Sequence, residues 1–136
     1  FDRRVDSVTL IQSNYGNLEI VFKHDDDLYS MWRRPSGEWT GTRRIARNIR
    51  GTPAFLQSSG GTRGHFEVVV PDEGSGIRHI YRDNDDPSEP WRQVAHFARD
   101  LGDIDCVDAA ETGDGHLSIV AITNGGRVTF HRRPVS

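Results

Sequence analysis

A short segment recurs three times along this chain, and the recurrence limits the folds open to it more than any other feature. Gly16-Asn17-Leu18-Glu19-Ile20-Val21 returns as Gly64-His65-Phe66-Glu67-Val68-Val69 and, weakened, as Gly115-His116-Leu117-Ser118-Ile119-Val120. The offsets are 48 and 51 residues. The flanks keep the same phase. Upstream, Leu10-Ile11-Gln12-Ser13 matches Phe55-Leu56-Gln57-Ser58 and, more loosely, Ala109-Ala110-Glu111-Thr112. Downstream, Leu28-Tyr29-Ser30-Met31-Trp32-Arg33 matches Ile77-Arg78-His79-Ile80-Tyr81-Arg82, then Val128-Thr129-Phe130-His131-Arg132-Arg133. Trp39 and Trp91 close the first two copies, and the third ends before any equivalent Trp.

Each matched segment reads as a short strand. Leu18–Phe22 and Phe66–Val70 are rich in β-branched and aromatic residues and follow a Gly. Leu28, Ser30 and Trp32 alternate with Tyr29, Met31 and Arg33, which gives a strand two distinct faces. The connections carry turn chemistry: Asn14-Tyr15-Gly16, Asp25-Asp26-Asp27, Pro35-Ser36-Gly37, Ser58-Ser59-Gly60-Gly61 and Asn124-Gly125-Gly126. Four strands in about 50 residues is the size and layout of a β-propeller blade. The predicted fold is therefore all-β, about three four-stranded antiparallel blades of a β-propeller, incomplete on its own. The chain is one segment, with repeats at approximately 5–48, 49–102 and 103–136.

Ile45-Ala46-Arg47-Asn48 and Phe97-Ala98-Arg99-Asp100 each precede the next copy's first strand, and Phe1-Asp2-Arg3-Arg4 holds the same position. The phase predicts a chain that starts within the end of an outermost strand and stops before a matching one. Open sheet edges and faces then need either further blades or self-association. One stretch competes with this pattern. Apolar residues at 91, 94, 95, 97, 98 and 101 fit an amphipathic helix; its register with 39–48 favours a strand.

The 136 residues suit one domain, and the apolar share of 35% predicts a thin core or one divided among small sheets. No apolar run reaches the roughly 18 residues of a membrane-spanning helix. A single cysteine, Cys106, excludes an internal disulfide and a cysteine-based zinc site. The net charge of −3 argues against a general nucleic-acid binder. Charge is uneven, however. Arg43, Arg44, Arg47, Arg50 and Arg63 lie in an acid-free stretch from 39 to 66, whereas 100–126 carries six acids and no Lys or Arg. The basic stretch suits a local RNA or phosphate site, but a solvated, self-complementary surface is the expectation.

The repeated pattern is Gln-Ser, then Gly-Asn/His-Leu/Phe-Glu-Ile/Val-Val, then Trp/Tyr-Arg and a later Trp. It resembles the repeats of bacterial and fungal lectin-type (tectonin-like) β-propellers. The resemblance covers 10–39 and 55–91 and a degraded third unit. It implies glycans held between adjacent blades or at blade rims by Trp, Arg and Glu. The third unit departs from it, with Ser118 for the Glu and Arg132 for the aromatic.

The candidate ligand-binding residues are Trp32, Arg33, Trp39, His79, Tyr81, Arg82, Trp91, Glu19 and Glu67. Aromatic faces stack on the apolar face of a pyranose, and Arg and Glu bond its hydroxyls. The alternative for the Arg and Glu positions is a buried ion pair, and for the aromatics packing between sheets. Asp83, Asp85 and Asp86 form an oxygen-rich loop that suits a calcium ion or plain turn solvation, without the EF-hand pattern. No Gly-x-Ser-x-Gly elbow, placed carboxylate pair or zinc spacing occurs. The predicted function is a non-enzymatic, carbohydrate-binding propeller segment with no required cofactor. A protein-interaction scaffold of the same fold is the alternative, ahead of a glycan-processing enzyme domain.

Overall fold

The structure, a computed structural model, describes residues 3–136. It is all-β and consists of three antiparallel sheets laid out in chain order. The first holds β1 (Ser7–Gln12), β2 (Leu18–His24), β3 (Asp27–Arg33) and β4 (Arg43–Ala46), neighbours in that order. The second holds β5 (Ala54–Gln57), β6 (Phe66–Pro71), β7 (Ile77–Arg82) and β8 (Trp91–Phe97). The third has three strands, β9 (Ile104–Thr112), β10 (His116–Thr123) and β11 (Val128–Pro134). None of the sheets closes on itself. Among the described residues no helix is long and apolar enough to cross a membrane.

The sequence repeat is also a repeat of register. Glu19 stands opposite Trp32, Glu67 opposite Tyr81, and Ser118 opposite Arg132. Gln12 faces Leu18, Gln57 faces Phe66, and Glu111 faces Leu117. Arg33 bridges to Trp39 as Arg82 pairs with Trp91. The first turns also correspond: Gly16 N donates to Ser13 O, and Gly115 N to Thr112 O, both at 3.0 Å. Both glycines hold positive φ, 92° and 75°, which side chains resist.

The stretch that mimics a helix is a bulged strand. β8 pairs along β7 until its register shifts between His79 and Ile80, leaving Val94 as the extra residue. An extra residue reverses the inward–outward alternation, so apolar residues on either side of it fall at near-helical spacing. A short 3-10 turn, Arg99–Leu101, completes the illusion. Phe1 and Asp2 lie outside the described residues, so the expectation of a strand end there concerns only Arg3 and Arg4. These are outside any strand, as are Arg47 and Asn48.

Two cores form between the sheets. Val21 and Leu28 of the first sheet pack on Phe55, Phe66, Val68, Val70 and Ile80 of the second. The other face of the second sheet, with Ala54, Val69 and Ile77, packs on Ile104, Leu117, Ile119 and Ala121 of the third. β6 is therefore buried along its whole length. β1 also binds the second sheet through polar groups: Ser7 Oγ donates to Gly51 O at 3.0 Å and Thr9 Oγ1 to Pro53 O at 2.7 Å. The uneven charge is used in the same way, with Arg50 reaching Asp103 at 3.5 Å and Asp105 at 3.9 Å.

Candidate functional site

Arg82 joins the first two sheets. Its position at the end of β7 points it toward the first sheet, and it is 1% exposed. Nε donates to Asn84 Oδ1 at 2.7 Å and Nη2 to the Tyr15 hydroxyl at 2.9 Å. The two Nη atoms reach the Glu19 carboxylate at 3.4 and 3.5 Å. The guanidinium lies 4.3 Å above the Phe66 ring, 5.2 Å from the Trp32 ring and 6.0 Å from the Trp91 ring. Cation–π attraction strengthens when such a group is desolvated.

Above this buried cation is an open cleft of about 610 Å³. Tyr15 and Asn17 from the first turn, Trp32 from β3, and Arg34, Pro35 and Ser36 beyond it form one wall. Arg63, Pro87 and Glu89 of the second sheet's loops form the other. The Arg63 guanidinium sits 4.8 Å over the Tyr15 ring. Its loop is fastened by Asp85, whose carboxylate accepts Thr62 N at 2.6 Å and Arg63 N at 2.9 Å. These two bonds hold the Asp85 carboxyl below the usual aspartate range.

Burial raises the Glu19 carboxyl above the usual glutamate range, opposed by Arg82 and by the Asn17 amide. Burial likewise raises the Tyr15 phenol, against the lowering effect of Arg82. A group raised on folding contributes its stability below the unfolded value, about 4.3 for Glu, and loses it as pH rises through the folded value. The unfolding free energy of the wild type relative to Glu19→Gln is thus expected to decline as pH rises from about 4 toward neutrality. Urea unfolding across that range checks it, and a difference growing with pH overturns it.

The nine residues singled out from the sequence separate into three groups. Trp32 lines the cleft. Arg82 and Glu19 form the buried pair beside it, closed to direct contact. The others lie outside its walls. Glu67 and His79 are fully buried in a network of their own, where Glu67 accepts from Ser58 Oγ at 2.9 Å and Ser136 N at 2.8 Å and meets His79 Nε2 at 2.6 Å. Tyr81 packs on the His65 ring, with centroids 5.6 Å apart. Trp91 packs half-buried against the first core, Trp39 is 47% exposed, and Arg33 turns toward the opposite face of the first sheet, near Gly37.

Tyr15, Asn17, Arg63 and Glu89 were not among the candidate binding residues. They sit in turns, and their convergence depends on how two sheets face each other. The one available signal was an aromatic at a turn tip, Tyr15. Besides fastening the Arg63 loop through Asp85, the acidic loop braces its own backbone: Asp83 Oδ1 accepts Asp85 N at 3.1 Å and Asp86 N at 3.2 Å, and Asp86 Oδ1 accepts Ser88 N at 2.8 Å. Among the described residues no three His, Cys, Asp or Glu converge on a metal-sized site. At the second and third sheets a smaller cleft, about 310 Å³, is lined by Ser59, Glu111, Thr112, Gly113 and Gly115, with no aromatic wall. Glu111 closes it by accepting Ser59 N at 2.8 Å. No protein-family model matches the chain, and no curated protein matches it.

Proposed function

We propose that the three sheets are consecutive blades of a β-propeller and that the chain is a non-enzymatic carbohydrate-binding segment. The cleft between the first two sheets receives a pyranose. The single observation that carries this reading is the set of side chains on its walls: Trp32 and Tyr15 rings beside Arg34, Arg63, Asn17 and Glu89, in a space of about 610 Å³. An aromatic face takes the C–H face of the sugar, and the charged groups bond its hydroxyls. The blade reading is supported by the first strands, since β1 lies beside β5 and β5 beside β9, and by the constant register of the repeats.

A glycan array followed by titration calorimetry tests the site. Trp32→Ala is expected to weaken binding of the best saccharide by about thirtyfold or more, the loss typical of a central aromatic anchor. Trp39→Ala, outside the cleft, is expected to leave it unchanged. A silent array, or equal losses from both variants, overturns the reading.

A further inference from the structure

The two outermost sheet faces both carry exposed apolar side chains. On the first sheet Val8 and Leu10 are exposed, and Val5, Val8, Ile20, Phe22 and Met31 line a groove of about 360 Å³. On the third sheet Val120 and Ile122 are exposed, and Val128 and Phe130 are 66% and 64% exposed. By register these are core positions elsewhere. Leu10 stands where Phe55 is buried, and Ile20, only partly buried, stands where Val68 is fully buried. Val120 and Val128 stand where Val21 and Leu28, and again Val69 and Ile77, are fully buried. The first sheet thus presents the kind of face that receives a preceding sheet, and the third presents the kind that receives a following one.

One cation on the first sheet and one anion on the third fit the same arrangement. Arg33 is the counterpart of Arg82 on the outer face of the first sheet, and it has no ion-pair partner among the described residues. Arg82 meets Glu19 and the Tyr15 hydroxyl of the sheet before it. On the third sheet the counterpart of Glu19 is Ser118, but the counterpart of Tyr15 is Asp114, by the matching turn hydrogen bonds. An anion therefore stands at the turn where Arg33 of a docked sheet would arrive. Asp114 is half-exposed and already meets Arg132, Thr112 and His116.

Resting on the reading of the sheets as consecutive blades, we propose that a second copy of this chain docks head to tail. The third-sheet face of each copy covers the first-sheet face of the other, and Arg33 of one meets Asp114 of the other. Such an interface joins two different patches, and it forms a discrete assembly when the rotation closes. In the proposed pair the ring holds six sheets, three from each copy.

Sedimentation equilibrium of the whole chain is the test. The expected species has twice the 15.3 kDa mass of one chain. Arg33→Glu and Asp114→Arg are each expected to weaken association by about tenfold or more, since like charges are then opposed across the interface. An equimolar mixture of the two variants is expected to restore it, because a mixed pair has one native contact and one reversed contact. Phe130→Glu, which leaves both charges in place, is also expected to dissociate the pair, with circular dichroism reporting the retained sheets. A mass of 15.3 kDa at every concentration, single variants that associate like the wild type, or a mixture that stays apart overturns the proposal. The cleft lies within one chain, so a monomer that binds saccharide through Trp32 sinks only the pairing. A pair that binds no saccharide sinks only the lectin reading.

Discussion

Arg82→Ala is expected to lower the unfolding free energy by about 3–5 kcal/mol, the range for breaking one side of a buried ion pair. For a chain of this size that is a fall of roughly 10–20 °C in Tm. The loss has several parts. The Glu19 carboxylate, 3% exposed, keeps no cation at hydrogen-bonding range among the described residues. Asn84 Oδ1 and the Tyr15 hydroxyl each lose a donor. The Phe66 ring loses the planar group 4.3 Å above it. With the cation gone, the first-ranked influence that lowers the Glu19 carboxyl against its burial is removed, and the Asn17 amide alone still opposes the shift. Arg82→Lys keeps the charge but not the planar fork, and is expected to recover only part of the loss. Differential scanning calorimetry of both variants decides this. Equal Tm values for Arg82→Ala and wild type would show that the cluster contributes nothing net.

The second large effect is a contrast between two residues that occupy one repeat position. Phe55→Ala is expected to cost about 3–5 kcal/mol, whereas Leu10→Ala is expected to change monomer stability by no more than about 0.5 kcal/mol. Phe55 is 8% exposed, meets Phe66 edge to face at 5.6 Å, and approaches Trp91 at 6.3 Å. Its removal leaves a void in a core that the first and second sheets share. Leu10 is 57% exposed on the outer face of the first sheet. Urea unfolding at a concentration too low for association measures both. Similar losses at the two positions would mean that Leu10 is covered within the single chain.

The same contrast bears on what could be read in advance. The tandem duplication, the strands, their antiparallel order and the shorter third unit were legible because strand periodicity and turn residues are local properties. The competition between helix and strand over 91–101 was settled by a bulge at Val94, which appears only when β8 is paired with β7. Trp32, Arg82 and Glu19 were each legible as repeat positions, but the pairing of Arg82 with Glu19 across two sheets was not. Tyr15, Arg63 and Glu89 were not legible, because no spacing along the chain announces that two turns from different sheets face each other across a cleft.

The amino-acid order alone determined that this chain makes repeated, small antiparallel sheets, since hydrogen-bonding periodicity and glycine-dependent turns act over a few residues. Which copy of a repeated residue is core, cleft wall or open surface was decided by tertiary stacking. Leu10 and Phe55 differ little in local preference, but only Phe55 has another sheet in front of it, and burial depends on what lies across the gap.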